Sequence, residues 1–145
     1  MNFDGRYRVV DKLGFGGYST IWLARDAHLD RYVAVKVCIA DAPPFESRAL
    51  KALSSSSAHP GQKSIPLPLD EFKVQGPNGT HVCYTMAPAR CNLREVSFSR
   101  LFPLEVARAL SGRLALAIAY THSLGYVHGG WLPQCYAPLH FVSPD

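Results

Sequence analysis

The chain has 145 residues, room for one ordinary domain, and is 48% hydrophobic and 18% charged, which excludes a disordered chain. Its net charge of +4 is a mild excess, +1 over residues 1–72 and +3 over 73–145. With no basic run and no aromatic-basic repeat it argues against a nucleic-acid module, and no apolar run nears the roughly 18 residues of a membrane span.

Residues 7–13 (YRVVDKL) and 18–24 (YSTIWLA) are rich in β-formers and predict two strands. Residues 32–39 (YVAVKVCI) alternate, with Val33, Val35, Val37 and Ile39 on one face and Ala34, Lys36 and Cys38 on the other. The short connections predict an antiparallel meander. Pro43 and Pro44 open a helix over 45–53. The serines of 54–57 and His59-Pro60-Gly61 read as a linker. A strand over 65–74 is irregular or at an edge because of Pro66 and Pro68, and Gly76-Pro77-Asn78-Gly79 turns into another over 81–86.

A loop over 87–91 leads to a short helix over 92–98. The longest helix runs over 103–124, with Pro103 in its first turn, Glu105 complementing its start and Gly125 ending it. Leu104, Ala107, Leu110, Leu114, Ala117 and Ile118 recur at helical spacing and Leu116 and Tyr120 add a flank, so this helix calls for cover on most sides. Residues 131–145, with three prolines and no period, read as an unpaired tail.

The four cysteines, Cys38, Cys83, Cys91 and Cys135, form no C-x-x-C pair, so reduced thiols are expected and neither a zinc site nor a redox motif. His28, His81, His122 and His140 show no ligand spacing. The start of the chain carries Asp4, Arg6 and Arg8 and no apolar core, so it is not a secretory signal, and cytoplasm or nucleus is the expected location.

Leu13-Gly14-Phe15-Gly16-Gly17-Tyr18-Ser19 joins two predicted strands. Glycines let backbone N–H groups approach a phosphate with no side chain between. A dinucleotide fold needs a helix after them, and Thr20-Ile21-Trp22-Leu23 is strand-like; a P-loop needs Gly-Lys-Ser/Thr, which is absent. A glycine-rich flap between antiparallel strands remains, against the competing reading of a plain hairpin. Lys36 lies inside the apolar run Val33-Ala34-Val35-Lys36. A buried ammonium is costly unless paired. The pattern fits a lysine that reaches phosphates and pairs with a helical glutamate, and Glu46 is the one acid of the following helix. The competing readings are a snorkelling edge lysine and a solvated helix glutamate.

On these residues the chain, from Tyr7 to His128, resembles the eukaryotic protein kinases. It is most similar to the SR-protein kinases, which phosphorylate serine and threonine. KLGFGGYSTIWLARD resembles their glycine-rich loop, with Ser19 where most kinases have the third glycine. ESRALKAL resembles their glutamate helix, and HVCYTMAPARCNLREV their strand, hinge and following helix. The resemblance implies an α+β fold: a kinase-like N-lobe of five antiparallel strands plus one helix, then an incomplete, mostly helical start of the C-lobe. It implies a division into an N-lobe with hinge at 1–90, a partial C-lobe at 91–128 and an irregular tail at 129–145.

It further implies that ATP is bound. Gly14, Phe15, Gly16, Gly17, Tyr18 and Ser19 would cover the phosphates, and Leu13, Ile21 and Ala34 would sandwich the base. Met86 would be the gatekeeper, and Ala87, Pro88 and Ala89 the hinge. Lys36 and Glu46 would form the catalytic ion pair. In the full family Mg²⁺ accompanies ATP and the partner is a Ser/Arg-rich protein substrate.

The match departs after THSLGYVHGG. His128 takes the first place of H-R-D, but Gly130, or Trp131 if the variant carries an extra glycine, stands where the catalytic aspartate belongs. No asparagine or D-F-G follows to hold Mg²⁺. The expectation is a truncated coding sequence whose product has no turnover by itself. Leu110, Leu114, Leu116 and Ile118 would then lack second-lobe partners, forfeiting about 6–12 kcal/mol of burial, and the exposed apolar helix would be sticky or bind another protein.

Overall fold

A computed structural model describes residues 2–55, 58–89, 102–128 and 141–142, with His128 and the last pair described through their backbone alone. The predicted helix over 92–98 lies outside the described residues. Two compact units result: residues 1–44 with 67–89, and residues 45–66 with 90–145.

The first unit is a six-stranded antiparallel sheet: β1 (Asn2–Phe3), β2 (Tyr7–Phe15), β3 (Ser19–Asp26), β4 (Arg31–Ala40), β5 (Asp70–Gly76) and β6 (Gly79–Met86), in the order β1-β2-β3-β4-β6-β5. The fold class is that of a kinase N-lobe. The expected five strands gain β1, two residues that fold back on Arg8 and Tyr7. β5 starts at Asp70 rather than at residue 65, because Pro66 and Pro68 donate no ladder hydrogen bond.

Alternation places the buried Val33 and Val35, with half-buried Val37, on one face of β4. They pack with Phe3, Tyr7, Ala24 and Cys83, flanked by Val9, Trp22, Phe72 and Val74. Ile39 does not join them: the β4–β6 register shifts between Val37 and Ala40, and Ile39 is 43% exposed. A bulge inserts a residue and breaks the alternation on which the sequence reading relied.

The sheet rolls strongly. β2 and β5 are separated by three strands, yet the Tyr7 and Phe72 rings stack at 5.1 Å. The Tyr7 hydroxyl donates to Asp70 at 2.5 Å, and Arg6 Nη1 donates to the same carboxylate at 2.9 Å. Twist accumulated over successive strands accounts for the curl, and the valine-rich face is its inside. At the β5–β6 turn Gly79 has φ +126°, and a Cβ there would lie 2.4 Å from an Asp41 carboxylate oxygen, so glycine is required on both counts.

The second unit holds α1 (Phe45–Leu53), a 3₁₀ turn (Pro60–Ser64), α2 (Leu104–Ser123) and the two-residue strands β7 (Val127–His128) and β8 (Phe141–Val142). α1 has the bounds the sequence predicts and buries Ser47, Ala49, Leu50 and Leu53. Residues 60–64 are not a linker. His59 Nδ1 accepts from the Gly61 N–H, Pro60 fixes the first φ, and the turn lies so close to α2 that a Cβ on Gly61 would sit 1.9 Å from the Leu116 carbonyl oxygen. The buried Tyr120 donates its hydroxyl to the Leu53 carbonyl at 2.8 Å and stacks on His59 at 5.3 Å. Nor is the tail wholly unpaired: Phe141–Val142 pairs antiparallel with Val127–His128.

Candidate functional site

Antiparallel partners across a sheet project to the same side. Gly14 pairs with Ile21, Ile21 with Lys36, and Lys36 with Tyr84, so one rung crosses four strands. The next rung runs Asp11, Leu23, Ala34, Met86. Both lie on the face opposite the valine core, and together they gather Gly14, Ile21, Ala34, Lys36 and Met86. Leu13, half-buried in β2, adjoins Gly14 at the second of two register shifts in that strand.

Lys36 is 2% exposed, with its ammonium 5.7 Å from the centre of the buried Tyr84 ring. A ring face attracts a cation and offsets part of the desolvation cost. Tyr84 was not singled out from the sequence; its place opposite Lys36 depends on the β4–β6 register.

At the tip of the β2–β3 hairpin the Gly16 N–H donates to the Ser19 carbonyl at 2.8 Å, closing the turn, and the Ile39 N–H donates to the Tyr18 carbonyl at 3.0 Å, tying it to β4. Phe15 and Tyr18 are exposed and Ser19 is buried. Neither Gly16 nor Gly17 has a positive φ, and a Cβ on either meets nothing within 4 Å. The turn itself therefore does not require glycine at these two positions. The space beside both is open.

Ala87 and Ala89 follow β6 as exposed residues with half-buried Pro88 between them. Glu46 belongs to the other unit, half-buried in the first turn of α1. Cys83, the partner of Val37, lies inside the roll, where burial pushes its thiol up to about 12. Among the described residues no three His, Cys, Asp or Glu gather as a metal-ligand set.

No family model matches the chain. A serine/threonine protein kinase of Aspergillus fumigatus is 35% identical over 130 residues, covering 86% of this chain and 33% of the relative. The serine/threonine-protein kinase spk-1 of Caenorhabditis elegans is 36% identical over 143 residues, covering 91% and 14%. SRSF protein kinase 3 of Homo sapiens is 38% identical over 90 residues, covering 58% and 16%. The chain is a homologue of serine/threonine protein kinases. SR-protein kinases are among its relatives, and it spans between about a seventh and a third of the length of these three.

The strands that carry the site residues were legible in the sequence. A second cluster was not. Asp26, 1% exposed, accepts from Arg6 Nε at 2.8 Å and Nη2 at 2.7 Å, and from the His28 N–H at 3.0 Å. The bidentate Arg6 guanidinium holds this carboxyl well below the usual range. With Tyr7 and Asp70 it clasps the far end of the β2–β3 hairpin to β5.

Proposed function

We propose that residues 1–89 form the ATP-binding part of an SR-protein-kinase-like serine/threonine kinase. The observation that carries this is Lys36: a buried ammonium on the same rung and the same face as flap residue Gly14. In this reading the flap from Gly14 to Ser19 covers the phosphates and Lys36 binds the α- and β-phosphates. Leu13, Ile21 and Ala34 contact the base, Met86 bounds its pocket, and Ala87 and Ala89 offer backbone groups to its edge. Bound ATP supplies the phosphoryl group; these residues hold and orient it. Among the described residues no three His, Cys, Asp or Glu side chains gather to hold Mg²⁺.

The segment His128-Gly129-Gly130-Trp131 carries no acid to accept a hydroxyl proton. We therefore assign this chain, taken alone, nucleotide binding without turnover on Ser/Arg-rich peptide. The alternative is a pseudokinase-like module that also engages a partner through α2, whose Leu110, Leu114 and Leu116 are 36–46% exposed.

The test is thermal unfolding with and without ATP. At a hundredfold excess over Kd, ATP adds about 2.7 kcal/mol to stability, a shift of several degrees. Lys36→Ala abolishes that shift. Gly17→Ala, which meets no neighbour in the fold, leaves the ligand-free midpoint in place and lowers the shift. An ATP shift that survives Lys36→Ala refutes the reading.

A further inference from the structure

β2 is paired on both sides only at its start, and its register with β3 is interrupted twice. On its outer side β1 covers only Tyr7 and Arg8. On its inner side the pairing with β3 falls into three short pieces, residues 7–9, 11–12 and 14–15, separated by register shifts. Each register shift bends the strand and re-aims the side chains beyond it, so where the flap stands depends on the register set at the base of β2. β3, by contrast, pairs with β4 without interruption from Ser19 to Asp26. Of the flap's two arms, β2 is the one whose ladder is interrupted.

That register is fixed at the base. Arg6 grips Asp26, the β3 residue opposite Tyr7, through two hydrogen bonds of 2.8 and 2.7 Å. Tyr7 is buried, stacks on Phe72 and donates to Asp70, and the third Arg6 nitrogen reaches the same carboxylate. Two strands and the opposite edge of the sheet thus meet at one point; Gly14 lies seven residues along β2 from Tyr7, and Gly16 just beyond the strand's end.

We propose that Arg6, Tyr7, Asp26 and Asp70 are positioning residues for the flap, acting through β2: the clasp pins the β2–β3 register and so sets where the glycines stand over a triphosphate. This rests on the ATP-binding reading for its ligand and on the strand pairing for its mechanics. Asp70 is the informative position, because it holds β2 from across the sheet without itself belonging to the hairpin.

The experiment uses the full chain carrying Asp70→Asn, and separately Tyr7→Phe, which keeps the ring stack and loses only the hydroxyl. Hydrogen exchange of the ligand-free protein and the affinities for ATP and for adenosine are compared with wild type. The expected result is faster exchange along β2 in both variants, with unchanged exchange in the centre of β4. ATP affinity falls about tenfold, while adenosine affinity falls by less, because Leu13 is the one proposed base contact carried on β2. A merely structural role lowers ATP and adenosine affinity alike, in proportion to the folded fraction, and overturns the proposal. So does unchanged exchange along β2 in a folded Tyr7→Phe protein, which also decides the matter if Asp70→Asn does not fold. If wild type binds neither ligand, the ATP reading fails, and the exchange pattern still decides whether the clasp pins β2.

Discussion

Two ionisable groups in the clasp make stability depend on pH from both sides. Asp26 has its carboxyl lowered chiefly by the hydrogen bonds from Arg6. Its contribution is complete above the unfolded value of about 4 and is lost as pH falls towards the lower folded one. Burial, and then the bond to Asp70, push the Tyr7 phenol up to about 12. That contribution is complete below the unfolded value of about 10 and is lost as pH rises through the folded one. Asp26→Asn is expected to cost roughly 1–3 kcal/mol at neutral pH and to flatten the acid limb between about pH 4 and pH 2; urea unfolding at a series of pH values measures both. Lys36 was legible because an ammonium inside a valine-rich strand is costly to bury unless paired, and the fold buries it to 2% exposure. The clasp was not: its partners lie 20 and 64 residues from Arg6, and no local pattern encodes a meeting created by the roll of the sheet.

Among the elements, β-forming residues located β2 and β3, alternation located β4, the turn at 76–79 located β6, and Pro43 and Pro44 marked the start of α1. These signals failed where backbone proximity matters more than side-chain pattern. Pro60 and Gly61 suggested a linker, since the same residues break regular structure and permit close approach. Against α2 the missing Cβ is what allows contact, with the Leu116 oxygen and the Tyr120 Cβ at 1.9 and 2.9 Å from where it would stand. Gly61→Ala must therefore push the 3₁₀ turn off α2, with an expected loss of about 1–3 kcal/mol, as for other overpacked sites. The check is chemical unfolding followed by the helical circular dichroism of the second unit. The same substitution at Gly17 meets open space, so the pair separates a glycine kept for packing from one the fold does not demand.

Across the whole chain, connectivity and packing do not coincide. The sheet is built from residues on both sides of the 45–66 segment, which itself groups with α2. The expectation that α2 wants cover is met only near its C-terminal end, where Tyr120 and Thr121 are buried. Leu110, Leu114 and Leu116 remain 36%, 46% and 42% exposed, a surface of the kind that associates. Leu114→Glu is expected to reduce concentration-dependent light scattering and binding of a hydrophobic dye without lowering the ATP-induced shift; unchanged scattering would show that this face is not what makes the chain associate.

The roll of the first unit also bears on how copies meet. A flat sheet offers any passing chain two long rims of open amide and carbonyl groups. Here the two rims are drawn together at Tyr7 and Asp70, and what remains of them carries Asp11 and Lys12 on one side and Glu71, Lys73 and Gln75 on the other, all exposed. Charge and curvature together discourage the addition of a foreign strand at these edges.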